Sequence, residues 1–250
     1  MEVIEKGRTR TNIGGRFMKP NNKYVAEFLG TFMLVFIGAG AICADYYLTN
    51  SGGQGIGILG ISAAFGLVVI AAVYAISYIS GAHINPAVTI SFWVGKRMEA
   101  NTAIFYIISQ LLGAVVAAYF LKVLFPDAVS TVFLGTCVVG DGVSSGNAIF
   151  MEAVVTFIFV LTIYATAVDR RSSKGIAGIA IGLAFLFGVL VANPISGGAL
   201  NPARVFGPAI ASGHLDNHVV WWFGPIIGGI VAGIVYDKLL SEKAAKKRRK

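Results

Sequence analysis

The chain reads as an all-α membrane protein: six transmembrane helices plus two re-entrant half-helices, arranged as an inverted repeat. Three observations predict this. First, 56% of its 250 residues are hydrophobic and only 13% are charged, about half the charged share of a soluble domain. Second, the few charges leave six windows of 18 to 24 residues, each long enough to span a bilayer as a helix. Third, one short motif occurs twice. Residues 80–87 read Ser-Gly-Ala-His-Ile-Asn-Pro-Ala, and residues 196–203, 116 positions later, read Ser-Gly-Gly-Ala-Leu-Asn-Pro-Ala.

The spans fall in order at 24–44, 56–79, 102–121, 148–168, 175–192 and 219–236. The first contains only Glu27 as a charge and the fourth only Glu152; the other four contain none. Helices are the spanning solution for such runs, because lipid offers the backbone no hydrogen-bond partner. Each motif leads into about ten mostly apolar residues. Those runs are half the length a span needs, so they reach the midplane from one side only. The first span does not read as a cleaved signal peptide, since about twenty polar and basic residues precede it and its apolar run is too long. One transmembrane domain is expected over 23–240, with a basic arm at 1–22 and a basic tail at 241–250.

Orientation follows from lysine and arginine. Lys6, Arg8, Arg10, Arg16, Lys19 and Lys23 lie in the arm; Lys96 and Arg97 follow the first half-span. Arg170, Arg171 and Lys174 follow span four, and the tail closes on 246–250 with five basic residues. Loops 45–55 and 125–147 have none. Six spans place all the basic segments on one face, so a multi-pass cell-membrane protein with both termini cytoplasmic is expected. Lys122, at a span end, is expected to snorkel outward. The net charge of +8 is thereby a topology signal. It needs no nucleic-acid partner, although the basic termini suit anionic lipids. Cys43 and Cys137 both fall toward the outer side; they read as small buried hydrophobes, with pairing left open.

The halves repeat, about 23–124 and 148–240. Glu27 precedes Thr31 by one turn, and Glu152 precedes Thr156 by one turn. Each such helix opens a half that later reaches an Asn-Pro-Ala copy. Three spans per half is odd, so the second half enters the membrane inverted, a recurring solution for moving solutes. A carboxylate within a span is a functional candidate by default. Here both occupy the same place in each repeat, which favours scaffolding. Each half must bury an irregular stretch with free N–H groups, and a carboxylate is a strong acceptor for them.

Proline suits the first helical turn, and asparagine is a preferred N-cap. Asn85 is therefore expected to cap a helix starting at Pro86-Ala87, and Asn201 one starting at Pro202-Ala203. Two such N-termini facing each other at the midplane each carry roughly half a positive charge. With asparagine amides beside them they accept a neutral oxygen-bearing molecule and oppose cations.

On these residues the chain resembles the aquaporins of the major intrinsic protein family, over about 22–240. The resemblance rests on Ala26-Glu27-Phe28-Leu29-Gly30-Thr31, on Ser80 to Thr89 and on Gly197 to Gly207. It implies a homotetramer with one pore per subunit, and a narrow outer filter of four positions. Carried over, these are Arg204 directly after the second Asn-Pro-Ala, Phe65 in span two, Val189 in span five and Gly198 in the loop. Water-selective members usually hold histidine at the span-five place and often cysteine or threonine at the loop place. Val189 and Gly198 depart at both, which implies a wider, more apolar filter; histidine at 189 with cysteine at 198 would narrow it. Val205 after the arginine, and Trp221-Trp222, favour the water branch over the glycerol facilitators. The set of four is closest to archaeal-type aquaporins.

His83 lies at the cytoplasmic mouth, as a fixed hydrogen-bond partner or, less simply, a pH sensor. His214 and His218 lie in the outer loop with no metal-ligand cluster. Glycines four apart, at 178 and 182, 224 and 228, and 229 and 233, allow close helix approach. The expected function is a passive water channel with leak of small neutral solutes, excluding protons and ions. The alternative is a facilitator of glycerol or of a dissolved gas such as hydrogen sulfide or carbon dioxide. An ion-coupled transporter lacks midplane groups beyond the symmetric carboxylates. No nucleophile–base set, phosphate loop or metal site is present; no cofactor is expected, and the chain is not an enzyme.

Overall fold

A computed structural model describes residues 22–241. The basic arm before Asn22 and the basic tail after Ser241 lie outside the described residues. The elements are α1 (Asn22–Asn50), α2 (Gly57–Ser80), α3 (Pro86–Val94), α4 (Ala100–Leu124), a short α5 (Ala128–Thr131), α6 (Ser145–Ile163), α7 (Ala177–Ser196), α8 (Pro202–Ser212) and α9 (Val220–Val235). Wider π-helical turns, Tyr164–Val168 and Tyr236–Leu240, prolong α6 and α9. Among the described residues six helices are long and apolar enough to cross a membrane. α3 and α8, with 9 and 11 residues, are not.

The packing is two-fold symmetric. α1 packs on α2 and α4, as α6 packs on α7 and α9. Each half-helix packs against the other half's last span: α8 on α4, and α3 on α9. α2 and α7 cross at the centre of the molecule. Their closest point needs glycine on both sides. A Cβ on Gly66 would lie 2.7 Å from the Gly182 carbonyl oxygen, and one on Gly182 would lie 2.5 Å from the Gly66 carbonyl oxygen. These glycines are 116 positions apart, the spacing of the repeated motif.

The surface is apolar where a soluble protein's is polar. Phe150, Val123 and Leu67 are more than 60% exposed, while Glu27, Glu152, Gln110 and Arg204 are buried. Lipid as the outer solvent accounts for the first, and hydrogen bonding for the second.

Several details depart from the sequence reading. α1 runs to Asn50 rather than 44, because Asp45-Tyr46-Tyr47 continue the helix. Asp45 then accepts the Gly57 N–H at the start of α2, at 2.8 Å. Lys122 does not reach freely outward. Its Nζ donates to the Ala211 carbonyl at 2.7 Å, placing a cation on the C-terminal turn of α8, where the helix dipole favours one. Cys43 and Cys137, by contrast, match that reading: no disulfide joins them and both are buried. The link 125–144 is no plain connection: it folds inward through α5 and a tight turn in which Phe133 and Leu134 adopt φ of 48° and 54°.

Candidate functional site

The two motif copies trace the same backbone. Gly81 and Gly197 end α2 and α7 in the left-handed conformation, with φ of 92° and 78°. The following stretch is non-helical in both. Ala82 and Ile84 have φ of 50° and 44°, matched by Gly198 and Leu200 at 63° and 54°. Such a stretch exposes amides at membrane depth, where each unsatisfied one is costly. Two buried carboxylates collect them. Glu27 accepts from the Ser80 hydroxyl at 2.6 Å, the His83 N–H at 2.9 Å and the Ile84 N–H at 2.6 Å. Glu152 accepts from the Ser196 hydroxyl at 2.6 Å and from the Ala199 and Leu200 N–H groups, both at 2.8 Å. The end of each preceding span is tied in the same manner. Tyr106 donates its hydroxyl to Ser80 O, and Trp221 its indole N–H to Ser196 O, both at 2.7 Å.

Asn85 and Asn201 take extended conformations and cap the half-helices, with Pro86 and Pro202 at the first helical position. The Asn85 Oδ1 accepts from the Ala87 N–H at 2.8 Å, and the Asn201 Oδ1 accepts from the Ala203 N–H at 2.9 Å. The amides then cross between the repeats. Asn85 Nδ2 donates to Leu200 O, and Asn201 Nδ2 donates to Ile84 O, both at 2.8 Å. These reciprocal bonds hold two helix N-termini side by side. A primary amide has two hydrogens, so one on each asparagine remains for a third group.

On one side of this junction lies a cavity of about 340 Å³, lined by Val69, Ile84, Val88, Phe159 and Ile181, with His83 among its few polar groups. His83 is only 8% exposed. Its ring packs on Phe92 and Tyr106 at 4.6 and 5.4 Å between centroids, and its Nδ1 lies 3.2 Å from the Thr89 hydroxyl. The Gln110 amide donates to Thr89 at 3.0 Å and to Glu27 at 2.7 Å. The second repeat has Ala199, Val205 and Pro225 at the corresponding places, so only the first half carries this polar chain. The basic links sit at this end too. Arg97 pairs with Asp237, and Arg171 donates to Leu240 O at 2.7 Å.

Phe65, Val189 and Arg204 are each no more than 1% exposed. The Arg204 guanidinium lies 4.7 Å from the Phe65 ring centroid, a cation–π contact. Its Nη1 donates to the Gly135 carbonyl at 2.9 Å and to the Cys137 sulfur at 2.8 Å, while Nε has no partner. Gly198 packs backbone to backbone on α7: a Cβ there would lie 2.8 Å from the Val189 carbonyl oxygen. With φ at 63° that position resists a side chain, so cysteine at 198 is not the simple narrowing change its size implies.

The structure thus links Asn85 and Asn201 through each other's loops, sets Arg204 on Phe65 and packs Gly198 on Val189. The sequence reading includes none of the polar contacts of Gly135, Thr89 and Gln110, and Cys137, read there as a small buried hydrophobe, accepts from Arg204. Gln110 carried a signal, as a lone amide inside an apolar span; Gly135 and Cys137 carried none, since loop folding alone brings them in. Outside this axis His214 stacks on Phe133 at 3.9 Å. Among the described residues no three His, Cys, Asp or Glu side chains converge as a metal site would require.

Most of the chain has known relatives. The family model described as "Major intrinsic protein" matches residues 16–236. A probable aquaporin TIP2-1 of Oryza sativa subsp. japonica is 43% identical over 230 residues, 90% of each chain. Aquaporin AqpM of Methanothermobacter marburgensis is 40% identical over 238 residues, 87% of this chain and 97% of that one. Among solved structures, the aquaglyceroporin from Plasmodium falciparum superposes with a TM-score of 0.77 at 27% identity, over 90% of this chain and 98% of that one. With its inverted repeat, paired Asn-Pro-Ala caps and family match, the chain belongs to the major intrinsic protein family.

Proposed function

We propose that this protein is a passive membrane channel for water, with a filter that also admits small neutral solutes and excludes protons and ions. The observation that carries the proposal is the reciprocal pairing of Asn85 with Leu200 O and of Asn201 with Ile84 O. It fixes two positive helix ends and two free amide hydrogens at one point of a passage with mostly apolar walls. A solute oxygen there replaces part of its lost hydration, whereas a cation meets two helix dipoles and then Arg204. Phe65, Val189, Gly198 and Arg204 form the filter, and Glu27 and Glu152 are scaffold groups. Both carboxylates are supplied with donors from loop and span, which supports that role over proton relay and weakens the ion-coupled reading. The channel works as a homotetramer in the cell membrane with both termini cytoplasmic.

A second reading, a glycerol or dissolved-gas facilitator, is favoured by one feature: Val189 adds an aliphatic side chain to the apolar cluster that holds Phe65. Stopped-flow light scattering of proteoliposomes under parallel water and glycerol gradients separates the two. Water flux far above that of empty vesicles, with modest glycerol flux, supports the channel as proposed. Glycerol flux that rivals water supports the facilitator.

A further inference from the structure

A cleft outside the proposed permeation path lies where α3 ends against α9 and α4 begins. Trp93, Lys96, Arg97, Met98 and Glu99 line a cavity of about 380 Å³ there. A second hollow, of about 140 Å³, has Val94, Ile230, Ile234, Asp237 and Lys238 in its walls. Arg97 of the first pairs with Asp237 of the second, so the two meet at one seam. The first is polar and the second mostly apolar.

Three cations and two carboxylates stand in these walls. Arg97 and Asp237 are engaged with each other, and the Arg97 guanidinium lies 5.3 Å from the Tyr164 ring centroid. That leaves Lys96 and Lys238 against Glu99. Both lysines are exposed, and among the described residues neither makes an ion pair. Trp93 and Ile234 are 48% and 42% exposed beside them. A tryptophan so placed sits at headgroup level in a bilayer. The other repeat offers no such cleft. Tyr106 and Trp221 match through their bonds to Ser80 O and Ser196 O, which sets Lys122 opposite Asp237. Lys122 is engaged by the Ala211 carbonyl, and Val123 stands where α9 has Lys238.

We infer that this cleft binds an anionic phospholipid, its phosphate met by Lys96 and Lys238 and its acyl chain laid along Val94, Ile230 and Ile234. Basic pockets between membrane helices recognise anionic headgroups in this way. A zwitterionic head brings its own cation to two lysines that already lack a counter-ion, whereas an anionic head supplies one. A soluble anion would meet the lysines but leave the apolar hollow bare. The proposed orientation makes the leaflet cytoplasmic; the chemistry of the site does not depend on it.

The test uses the full-length protein in phosphatidylcholine vesicles with the same lipids in both leaflets, and reads quenching of Trp93 by lipids brominated on the acyl chain. Each protein is compared with its Trp93→Phe counterpart, and the difference is the Trp93 signal. Brominated phosphatidylglycerol is expected to quench it at an about five- to twentyfold lower mole fraction than brominated phosphatidylcholine, with each lysine contributing about fivefold. Lys96→Gln and Lys238→Gln are each expected to cut that preference, their combination to abolish it, and Glu99→Gln to raise it. Arg170→Gln removes the same charge outside the cleft and is expected to leave it unchanged. All these side chains are exposed, so folding is not at stake. An equal loss in Arg170→Gln would reduce the preference to diffuse surface attraction and overturn the inference. So would equal quenching by the two lipids, or displacement of the lipid by an equal concentration of soluble glycerol 3-phosphate. Absence of quenching by either lipid would show the cleft covered by a second copy of the chain, and overturn it too. Water flux does not enter the measurement, so each of these failures leaves the channel reading standing.

Discussion

At the scale of single residues, Arg204 bears the heaviest expectation. A buried cation in a membrane is costly and needs partners, and this one has a carbonyl, a sulfur and an aromatic face. In the proposed filter, its fixed charge would oppose cations. Arg204→Val is predicted to raise proton or cation leak and to loosen solute selection, read by dye-reported proton flux and by solute gradients. Parent-like behaviour for water, protons and glycerol would place Arg204 outside the filter. Val189→His is the cleaner way to probe the opposite wall, since Gly198 cannot take a side chain without displacing the Val189 backbone. Added bulk and a polar edge there are predicted to lower glycerol flux relative to water by roughly tenfold, the scale of one steric mismatch in a tight pocket. An unchanged ratio would mean that Val189 faces away from the path. The asparagine caps were legible in the sequence because Asn-Pro constrains its own backbone. Cys137 was not, because no local rule brings residue 137 to residue 204.

At the scale of elements, each half depends on a carboxylate that binds an irregular loop. Glu152→Gln keeps one acceptor oxygen but turns an N–H group toward amides that are themselves donors. Hydrogen bonds to a charged acceptor are worth about 1.5–3 kcal/mol each, so a loss of about 3 kcal/mol or more is predicted. Lower yield and melting temperature, with a parent-like pH profile of transport, would bear this out. A well-folded variant with a shifted pH profile would point to proton relay. The ends of α6 and α9 are clamped separately. Asp169 accepts from the Arg171 guanidinium at 2.6 and 2.9 Å and from the Tyr236 hydroxyl at 2.6 Å. These bonds, the Arg171 one foremost, hold the Asp169 carboxyl well below its ordinary range. A depressed carboxylate contributes stability that is fully present above its ordinary value of about 3.9 and is lost as pH falls through its folded-state value. Asp169→Asn is therefore predicted to melt earlier than the parent at pH 7, with the gap shrinking below about pH 4. A gap that holds constant into acid would show that the charge contributes nothing. The spans were legible because charge is absent from them. The inward fold of 125–144 was not, because its left-handed turn at Phe133-Leu134 uses residues that do not favour one.

At the scale of the molecule, an internal symmetry is joined to an asymmetry between the two ends. The symmetry sets the paired half-helices, the Gly66–Gly182 crossing and the matched carboxylates. It was readable from two copies of one motif and their spacing. The asymmetry was not, since it arises where equivalent places hold different residues: His83, Thr89 and Gln110 on one side, Ala199, Val205 and Pro225 on the other. One end thus has a mostly apolar cavity with a single imidazole, and the other an arginine against an aromatic ring. Such a passage conducts a neutral molecule in either direction and gives an ion no favourable resting place. The most direct test sets osmotic water flux beside proton flux in one preparation of proteoliposomes, the second driven by an imposed pH gradient with potassium and valinomycin clamping the voltage. The account predicts water flux far above that of empty vesicles and proton flux no greater than theirs. Robust proton current through the purified parent protein would contradict it.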